Sequence, residues 1–346
     1  MPPLENSIKP FIIPVFIPHA GCPHRCVFCN QKVITRSQAQ IPSNEQIQAC
    51  IRTYLTYLTP HRKPVQVAFF GGNFLGIDRR EILRILDVAA SFVHDGIVDG
   101  IRFSTRPDTL TADRMAILKD FPVSTIEIGA QSMNDAVLSL SRRGHTAQQT
   151  ASAVEIARAD GYEVGVQMMV GLPGDDDNGA ILSGRRIAAL CPDFVRIYPT
   201  VVLEHSPLAD WYRQGLYVPL SLSVGVSLVK RLYLIFRKNN IRVIRMGLQP
   251  TMDLENGSVL LAGPFHPAFG HLVIAEIYRD RAVEMLTSIA GDLETVLLYV
   301  HPKQISAMRG MKNENIHYLK NRFQIRHIAV EGNALIPVGG ICVNIF

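Results

Sequence analysis

The sequence predicts an α/β fold: a parallel sheet with helices packed against it. Three observations predict it. Apolar runs alternate with helical patterns in six strand-then-helix units over about 240 residues. Alternation of this kind requires parallel strands joined by crossover helices. The residues with chemical character also fall just after strands, on the face where barrels and open α/β sheets both build their sites. Finally, 47% hydrophobic and 19% charged residues in a chain of 346 allow a substantial core. A doubly wound open sheet and an open or complete (β/α) barrel both satisfy the pattern, and periodicity does not choose between them.

Residues 11–18, "FIIPVFIP", read as a buried strand, and a loop with Cys22, Cys26 and Cys29 follows. Ser43 is an N-cap with Gln46 three residues on, a capping box. Ile47, Cys50, Ile51, Tyr54, Leu55 and Leu58 then recur at helical spacing, which makes Cys50 a core residue. Residues 65–70 read as a strand ending in Gly71–Gly72, and a helix follows over 80–93. Residues 100–107 form a strand, Thr111 caps the next helix, and 124–132 form another strand. Ala147, Ala151, Val154 and Ala157 mark a helix that stops at Gly161. Residues 163–174 are a strand and glycine turn, 181–190 a helix, 193–202 a strand and 222–238 the sixth helix. The expected organisation is a core over 8–215 and a C-terminal α/β extension over 216–346.

The extension has its own pattern. Residues 294–302 read as a strand, 304–323 as two short helices broken at Gly310, and 325–332 as a strand. This order is similar to the core of a KH domain, an RNA-binding module whose GxxG loop clamps the nucleic-acid backbone. The corresponding Gly310–Met311–Lys312–Asn313 lacks the last glycine. Between 301 and 327 lie Lys303, Arg309, Lys312, Lys320, Arg322 and Arg326 against Glu314 alone. That segment therefore carries the whole net charge of +5, as an RNA-contacting surface would. A solvated helix face, or a plain cap on the sheet, is the alternative.

Several classes are disfavoured. No stretch approaches twenty apolar residues, so no transmembrane helix is expected. Six cysteines are too few for a disulfide scaffold. The opening apolar run is a poor signal segment: Pro14 and Pro18 interrupt it, Lys9 is its only positive charge, and His19 stands three before Cys22. A cytoplasmic protein is expected. There is no GxxxxGK[ST], HExxH or GxSxG motif. Asp175–Asp177 read as a solvated loop rather than a metal site.

Three thiols within eight residues are the strongest chemical signal. Thiolates favour zinc and iron–sulfur clusters. A structural zinc site needs a fourth ligand, which His19 or His24 would supply. Cys50, Cys191 and Cys342 are scattered in apolar patterns. A [4Fe–4S] cluster held by three thiolates leaves one iron open for a small molecule.

Cys-x-x-x-Cys-x-x-Cys, with Phe28 before the last cysteine, resembles the signature of the radical S-adenosylmethionine (SAM) superfamily. "FFGGNFLG" resembles that family's glycine-rich SAM motif. "STRPD", "IEIGAQS", "RRGHT", "VGVQMMVGLPGD", "RIYPTVV", "RMGLQPT" and "AGPFHPAFGHLV" follow in the order seen in the branch of the Elongator catalytic subunit. The resemblance spans residues 10–275. It implies a partial (β/α)6 TIM-like barrel with Cys22, Cys26 and Cys29 on three irons of a [4Fe–4S] cluster and SAM on the fourth. An electron from a low-potential donor would split SAM, and the resulting 5′-deoxyadenosyl radical would abstract hydrogen from a substrate.

The resemblance also assigns residues to SAM. Gly71 and Gly72 would let the backbone approach its amino group, with Asn73 hydrogen-bonding nearby where relatives often have an acid or a hydroxyl. Phe28 would lie near the adenine, Gln131 and Gln167 near ribose or methionine, and Arg106 on the carboxylate. Ser104 stands where the related motif has Glu. The tail does not resemble the acetyltransferase domain of the Elongator subunit, so acetyl-CoA chemistry is not expected. The implied substrate is a tRNA base, contacted through 301–327. The alternatives are a small molecule, as for coproporphyrinogen oxidases, or a non-catalytic metal-stabilised nucleic-acid-binding protein.

Overall fold

A computed structural model describes residues 10–17, 21–30, 41–59, 64–289 and 294–345. The first described strand is β1 (Phe11–Phe16); α1 (Asn44–Leu55) and β2 (Val65–Phe70) follow. Next come α2 (Arg79–His94), β3 (Gly100–Thr105), α3 (Ala112–Leu118) and β4 (Val123–Gln131). The chain continues through α4 (Asp135–Leu140), α5 (Ala147–Ala159), β5 (Glu163–Val170), α6 (Asp177–Ala189) and β6 (Phe194–Pro199). The capping box forms as expected: Ser43 Oγ accepts from Gln46 N at 3.3 Å, and Gln46 Oε1 accepts from Ser43 N at 2.9 Å. Thr111 caps α3. Cys50 is partly buried against the main core, with its thiol donating to Pro14 O.

Beyond β6 lie β7 (Val202–Leu203), α7 (Pro207–Arg213), α8 (Leu222–Lys238), β8 (Arg242–Met246), α9 (Met252–Glu255), β9 (Leu260–Ala262) and α10 (Phe269–Thr287). The main sheet has the order β1-β2-β3-β4-β5-β6-β8, every pair parallel. A doubly wound sheet reverses its order at a switch point. This order never reverses, so each right-handed crossover steps the same way and the helices cover one face. The sheet curls into a half-barrel. Alternation along β4 shows the consequence: Ile126, Ile128 and Ala130 pack into the outer core, while Thr125 and Glu127 face the lumen.

The sheet runs past the boundary expected at 215, because β8 pairs with β6 from Phe194↔Arg242 onward. "RVIRM" has two arginines and no fully buried residue, so it carries no strand periodicity.

The extension contains β10 (Thr295–Val300), α11 (Ile305–Arg309), α12 (Glu314–Phe323), β11 (His327–Gly332) and β12 (Ile341–Ile345). The helices break at Gly310 as expected. β10 pairs parallel to β11 and antiparallel to β12. Val296, Leu298, Met308, Leu319 and Val330 pack with Tyr278 and Leu286 of α10 into a second core. Phe269 and Val273 at the other end of α10 belong to the barrel core, so this helix joins the two. Buried Asn315 fastens the junction by donating Nδ2 to Ala275 O, Ala307 O and Met308 O at 2.8, 3.2 and 3.1 Å. Among the described residues no helix is long and apolar enough to cross a membrane.

Candidate active site at the C-terminal ends of the strands

The cysteine loop is tied down at both ends. Val27 N donates to Ser141 O at 3.2 Å, and Val27 O accepts from Leu208 N at 2.9 Å. Asn30 Nδ2 donates to Glu204 O at 2.7 Å. Cys26 is buried, Cys29 partly exposed and Cys22 exposed. The loop's first anchor is Asn73. Its Nδ2 donates to Gly21 O at 2.8 Å. Its Oδ1 accepts from Thr105 Oγ1, Thr109 Oγ1 and Arg106 N at 2.7, 2.9 and 3.0 Å. Fully buried Asn73 thus braces the segments after β1, β2 and β3 against one another.

The brace leaves no room for side chains. Gly21 has φ +72°, and a Cβ there would lie 2.2 Å from Asn73 O. A Cβ at Gly76 would lie 2.2 Å from both Gly21 O and Asn73 Nδ2. Gly71 differs: its φ of +101° calls for glycine, but a Cβ would meet nothing nearer than Phe16 at 3.5 Å. Gly72 follows it, partly exposed.

Two arginines surround the thiols. Arg106 Nε lies 2.9 Å from Asp108 Oδ1, and its Nη2 bonds Asp108 Oδ2 at 3.1 Å as well as Arg143 O. Arg143 Nη1 donates to Cys26 Sγ at 3.2 Å, and its Nη2 to Gly129 O at 2.6 Å. Arg143 is therefore a cation in direct contact with Cys26. Burial, then the neighbouring Cys26, push the Cys22 thiol up, while Arg106 and Arg143 pull it down.

Gln131 sits at a β-bulge opposite β5, with φ +67° and its side chain buried. A non-glycine residue held in the left-handed region at a strand end marks a site where backbone strain is maintained. Gln167 lies across the ladder from Gly129. Phe28 packs between two apolar groups, Val137, Met169 and Leu172 on one side and Val27, Val202 and Leu208 on the other.

His145 is buried with Nε2 3.1 Å from Ala130 O. Burial first, then Arg143 and Arg106, push it down to about 4, so it is neutral at physiological pH. Neither His145 nor Arg143 has a local sequence pattern that marks its role. Their signal was the "RRGHT" motif, whose members lie far along the chain from the cysteines.

These residues fit a cluster and SAM. Among the described residues, Arg106 Nη1, Arg143 Nε and Gln131 Oε1 are buried around the thiols without a partner, and such groups need one. A guanidinium on Cys26 suits an anionic thiolate. Among the described residues no three Cys, His, Asp or Glu side chains lie close enough to share one metal ion. Thiolates that each hold a separate iron stand farther apart than the ligands of a single ion. His19, one candidate fourth ligand for zinc, lies outside the described residues.

Deeper in the lumen, Glu127 lies between two arginines. Arg102 Nη2 donates to its Oε1 at 2.6 Å, and Arg196 Nε lies 2.7 Å from its Oε2. Arg102 also donates to Gln66 Oε1 at 3.0 Å.

Residues 16–181 match the Radical SAM superfamily, and residues 192–279 match the Radical_SAM C-terminal domain. This chain belongs to the radical SAM superfamily. It is 28% identical over 233 residues to an uncharacterized protein of Methanocaldococcus jannaschii, covering 64% of this chain and 70% of that one. It is 25% identical over 231 residues to the tRNA uridine(34) acetyltransferase of Dehalococcoides mccartyi, covering 57% of this chain and half of that protein's length. The archaeal Elp3 of Methanocaldococcus infernus, lacking its N-terminus, shares the fold at TM-score 0.62 and 19% identity, covering 78% of this chain and 63% of that one. The Elongator-like branch inferred from the motifs is thus the one in which relatives are found, and the half-barrel is the superfamily's fold.

Proposed function

We propose that this radical SAM enzyme acts on a tRNA base and that its C-terminal extension holds the RNA. The observation that carries the chemistry is the braced cysteine loop, with Arg143 on Cys26 and orphaned buried polar atoms around it. Cys22, Cys26 and Cys29 would hold a [4Fe–4S] cluster. Arg106, Gln131 and Gln167 would face SAM with Arg143 beside them, Phe28 would lie near its adenine, and the Gly71–Gly72 backbone would pass beside its amino group. When bound, the pair supplies one-electron cleavage of a sulfonium carbon–sulfur bond and hydrogen abstraction from the substrate. Asn73 holds the loop in place, and Phe28 packs the loop's apolar side against the groups around Val137 and Val202.

The RNA reading rests on the relative named as a tRNA enzyme and on the charge of the extension. Arg326 is paired with Glu294, but Lys303, Lys312 and Arg322 are exposed without a carboxylate partner among the described residues. Lys312 and Asn313 both adopt left-handed backbone, with φ +49° and +61°, at the tip between the helices. Arg322 and Arg279 lie against Tyr318, giving a face that is both basic and aromatic. Such a face suits a phosphate backbone with exposed bases. The test is tRNA binding at several salt concentrations, together with nucleoside analysis of tRNA from cells with and without the gene. Replacing Lys312, Lys320 and Arg322 by Ala should lower the slope of log affinity against log salt by about 2. Unchanged binding and unchanged nucleosides would overturn the RNA reading.

A further inference from the structure

The lumen wall formed by β6 and β8 has more cations than acids. Arg196 on β6 stands directly opposite Arg245 on β8 in the ladder. Like charges opposite one another on adjacent strands are destabilising. Glu127 pairs with Arg196 and is also held by Arg102. Arg245 has no carboxylate partner among the described residues. It donates Nε to Gly247 O at 3.1 Å and Nη2 to Leu248 O at 2.8 Å. Glu127 is thus shared by Arg102 and Arg196, while among the described residues Arg245 is held by backbone carbonyls alone.

The pair is placed to meet a substrate. Arg196 Nη1 lies 3.4 Å from the Tyr198 hydroxyl, and Tyr198 packs against the same apolar group as Phe28 of the cysteine loop. The wall thus runs from the lumen to the mouth where the thiols sit. Arg106 and Arg143 do not duplicate it: they stand at the thiols, bound to Asp108 and to Cys26 and Gly129 O, and not on the wall of β6 and β8. Burial, together with the charge of Arg196, pushes Arg245 down, as expected for a cation lacking a counter-ion.

We propose that Arg196, Arg245 and Tyr198 form a subsite for an anionic oxygen group of the substrate, a phosphate or a carboxylate. Two guanidiniums and a phenol hydroxyl supply charge-assisted donors for such a group. The inference rests on the proposed radical SAM function, with the reacting part of the substrate entering the lumen beside the thiols. If that substrate is an RNA nucleotide, the group is a phosphate next to the modified base; if it is a small acid, the group is its carboxylate.

The experiment is calorimetric titration of the full-length, cluster-loaded protein, under anaerobic conditions and at fixed ionic strength. The probes are uridine 5′-monophosphate, uridine and citrate. The proteins are wild type, Arg245→Gln, Arg245→Lys and a Lys312→Ala/Arg322→Ala double variant. The expected result is tighter binding of at least one anion than of uridine. That preference should fall roughly tenfold to a hundredfold in Arg245→Gln. It should largely survive in Arg245→Lys and be unchanged in the double variant, which removes surface binding. Binding of the nucleotide identifies a phosphate. Binding of citrate alone identifies a carboxylate substrate and removes the RNA reading while the subsite stands. Equal affinity for nucleotide and uridine without citrate binding, no binding of either anion, or an Arg245→Gln protein that binds like wild type would each overturn the proposal.

Discussion

Acidification from pH 7 to pH 5 should weaken the fold by about 2 kcal/mol through His145 alone. Its Nε2 faces Ala130 O and must carry a hydrogen to donate to that carbonyl. Nδ1 is then a bare acceptor, buried and without a partner among the described residues. Adding a proton there would place a buried cation beside Arg143 and Arg106, which is why the folded-state value falls to about 4 from the ordinary 6.5. Between those values the unfolded chain binds a proton that the folded chain refuses. Stability present above 6.5 is therefore lost as pH falls toward 4, to a limit of about 3 kcal/mol. Asp175 works in the opposite direction. Burial raises its carboxyl to about 6, so the folded state gains a proton first and stability rises as pH falls through that value. The readout is accordingly the difference between wild type and His145→Gln, whose amide still donates to Ala130 O and does not titrate. Urea unfolding of both proteins at pH 7, 6 and 5 measures it. The wild type should lose about 2 kcal/mol more than the variant by pH 5. A difference that stays flat, or that favours the wild type at low pH, would refute the reasoning.

Other substitutions test the brace and the junction. Gly21→Ala must place a Cβ 2.2 Å from Asn73 O at a positive φ, so we expect a loss of about 3 kcal/mol in urea unfolding and a reduced iron content after reconstitution. Asn73→Asp keeps the acceptor for Thr105, Thr109 and Arg106 but turns the donor to Gly21 O into a repelling oxygen. Iron bound per chain should drop, and faster alkylation of Cys22 in the cluster-free protein would show the loop released. Asn315→Ala removes the buried amide that donates to Ala275 O, Ala307 O and Met308 O, a loss of about 2 kcal/mol that thermal unfolding should report. Cys50→Ala should change stability by about 1 kcal/mol and leave iron content at the wild-type level, because Cys50 touches only the core and Pro14 O.

The parts of the fold that were legible in the sequence are those set by local chemistry. Ser43 and Gln46 announce a helix start because both halves of the capping box lie within four residues. The six strands that alternate with helices are legible because each buries a run of apolar residues. The strand over Arg242–Met246 is not, since its side chains face a polar lumen on one side and are only partly covered on the other. β12 is similarly quiet, with Cys342, Asn344 and Ile345 exposed at the sheet edge. Within the site, Cys22, Cys26 and Cys29 stand out because their spacing is local. The contact between Arg143 and Cys26 spans 117 residues and depends on the curl of the sheet, which no window of sequence encodes. Asn73 shows the same limit. Its position after two glycines points to a ligand contact, whereas the structure shows its amide engaged by Gly21, Thr105, Arg106 and Thr109. The choice between a doubly wound sheet and a barrel turns on strand order, a property of the assembled sheet.

The central claim, that Cys22, Cys26 and Cys29 support radical SAM chemistry, is tested most directly by the yield of 5′-deoxyadenosine. The measurement uses anaerobically reconstituted full-length protein with SAM and dithionite, read by chromatography and mass spectrometry. 5′-Deoxyadenosine is expected from the wild type and from Cys50→Ala, and none above background from Cys22→Ala, Cys26→Ala or Cys29→Ala. A reconstituted wild type that binds iron yet forms no 5′-deoxyadenosine, or a Cys26→Ala protein that forms as much as wild type, would contradict it.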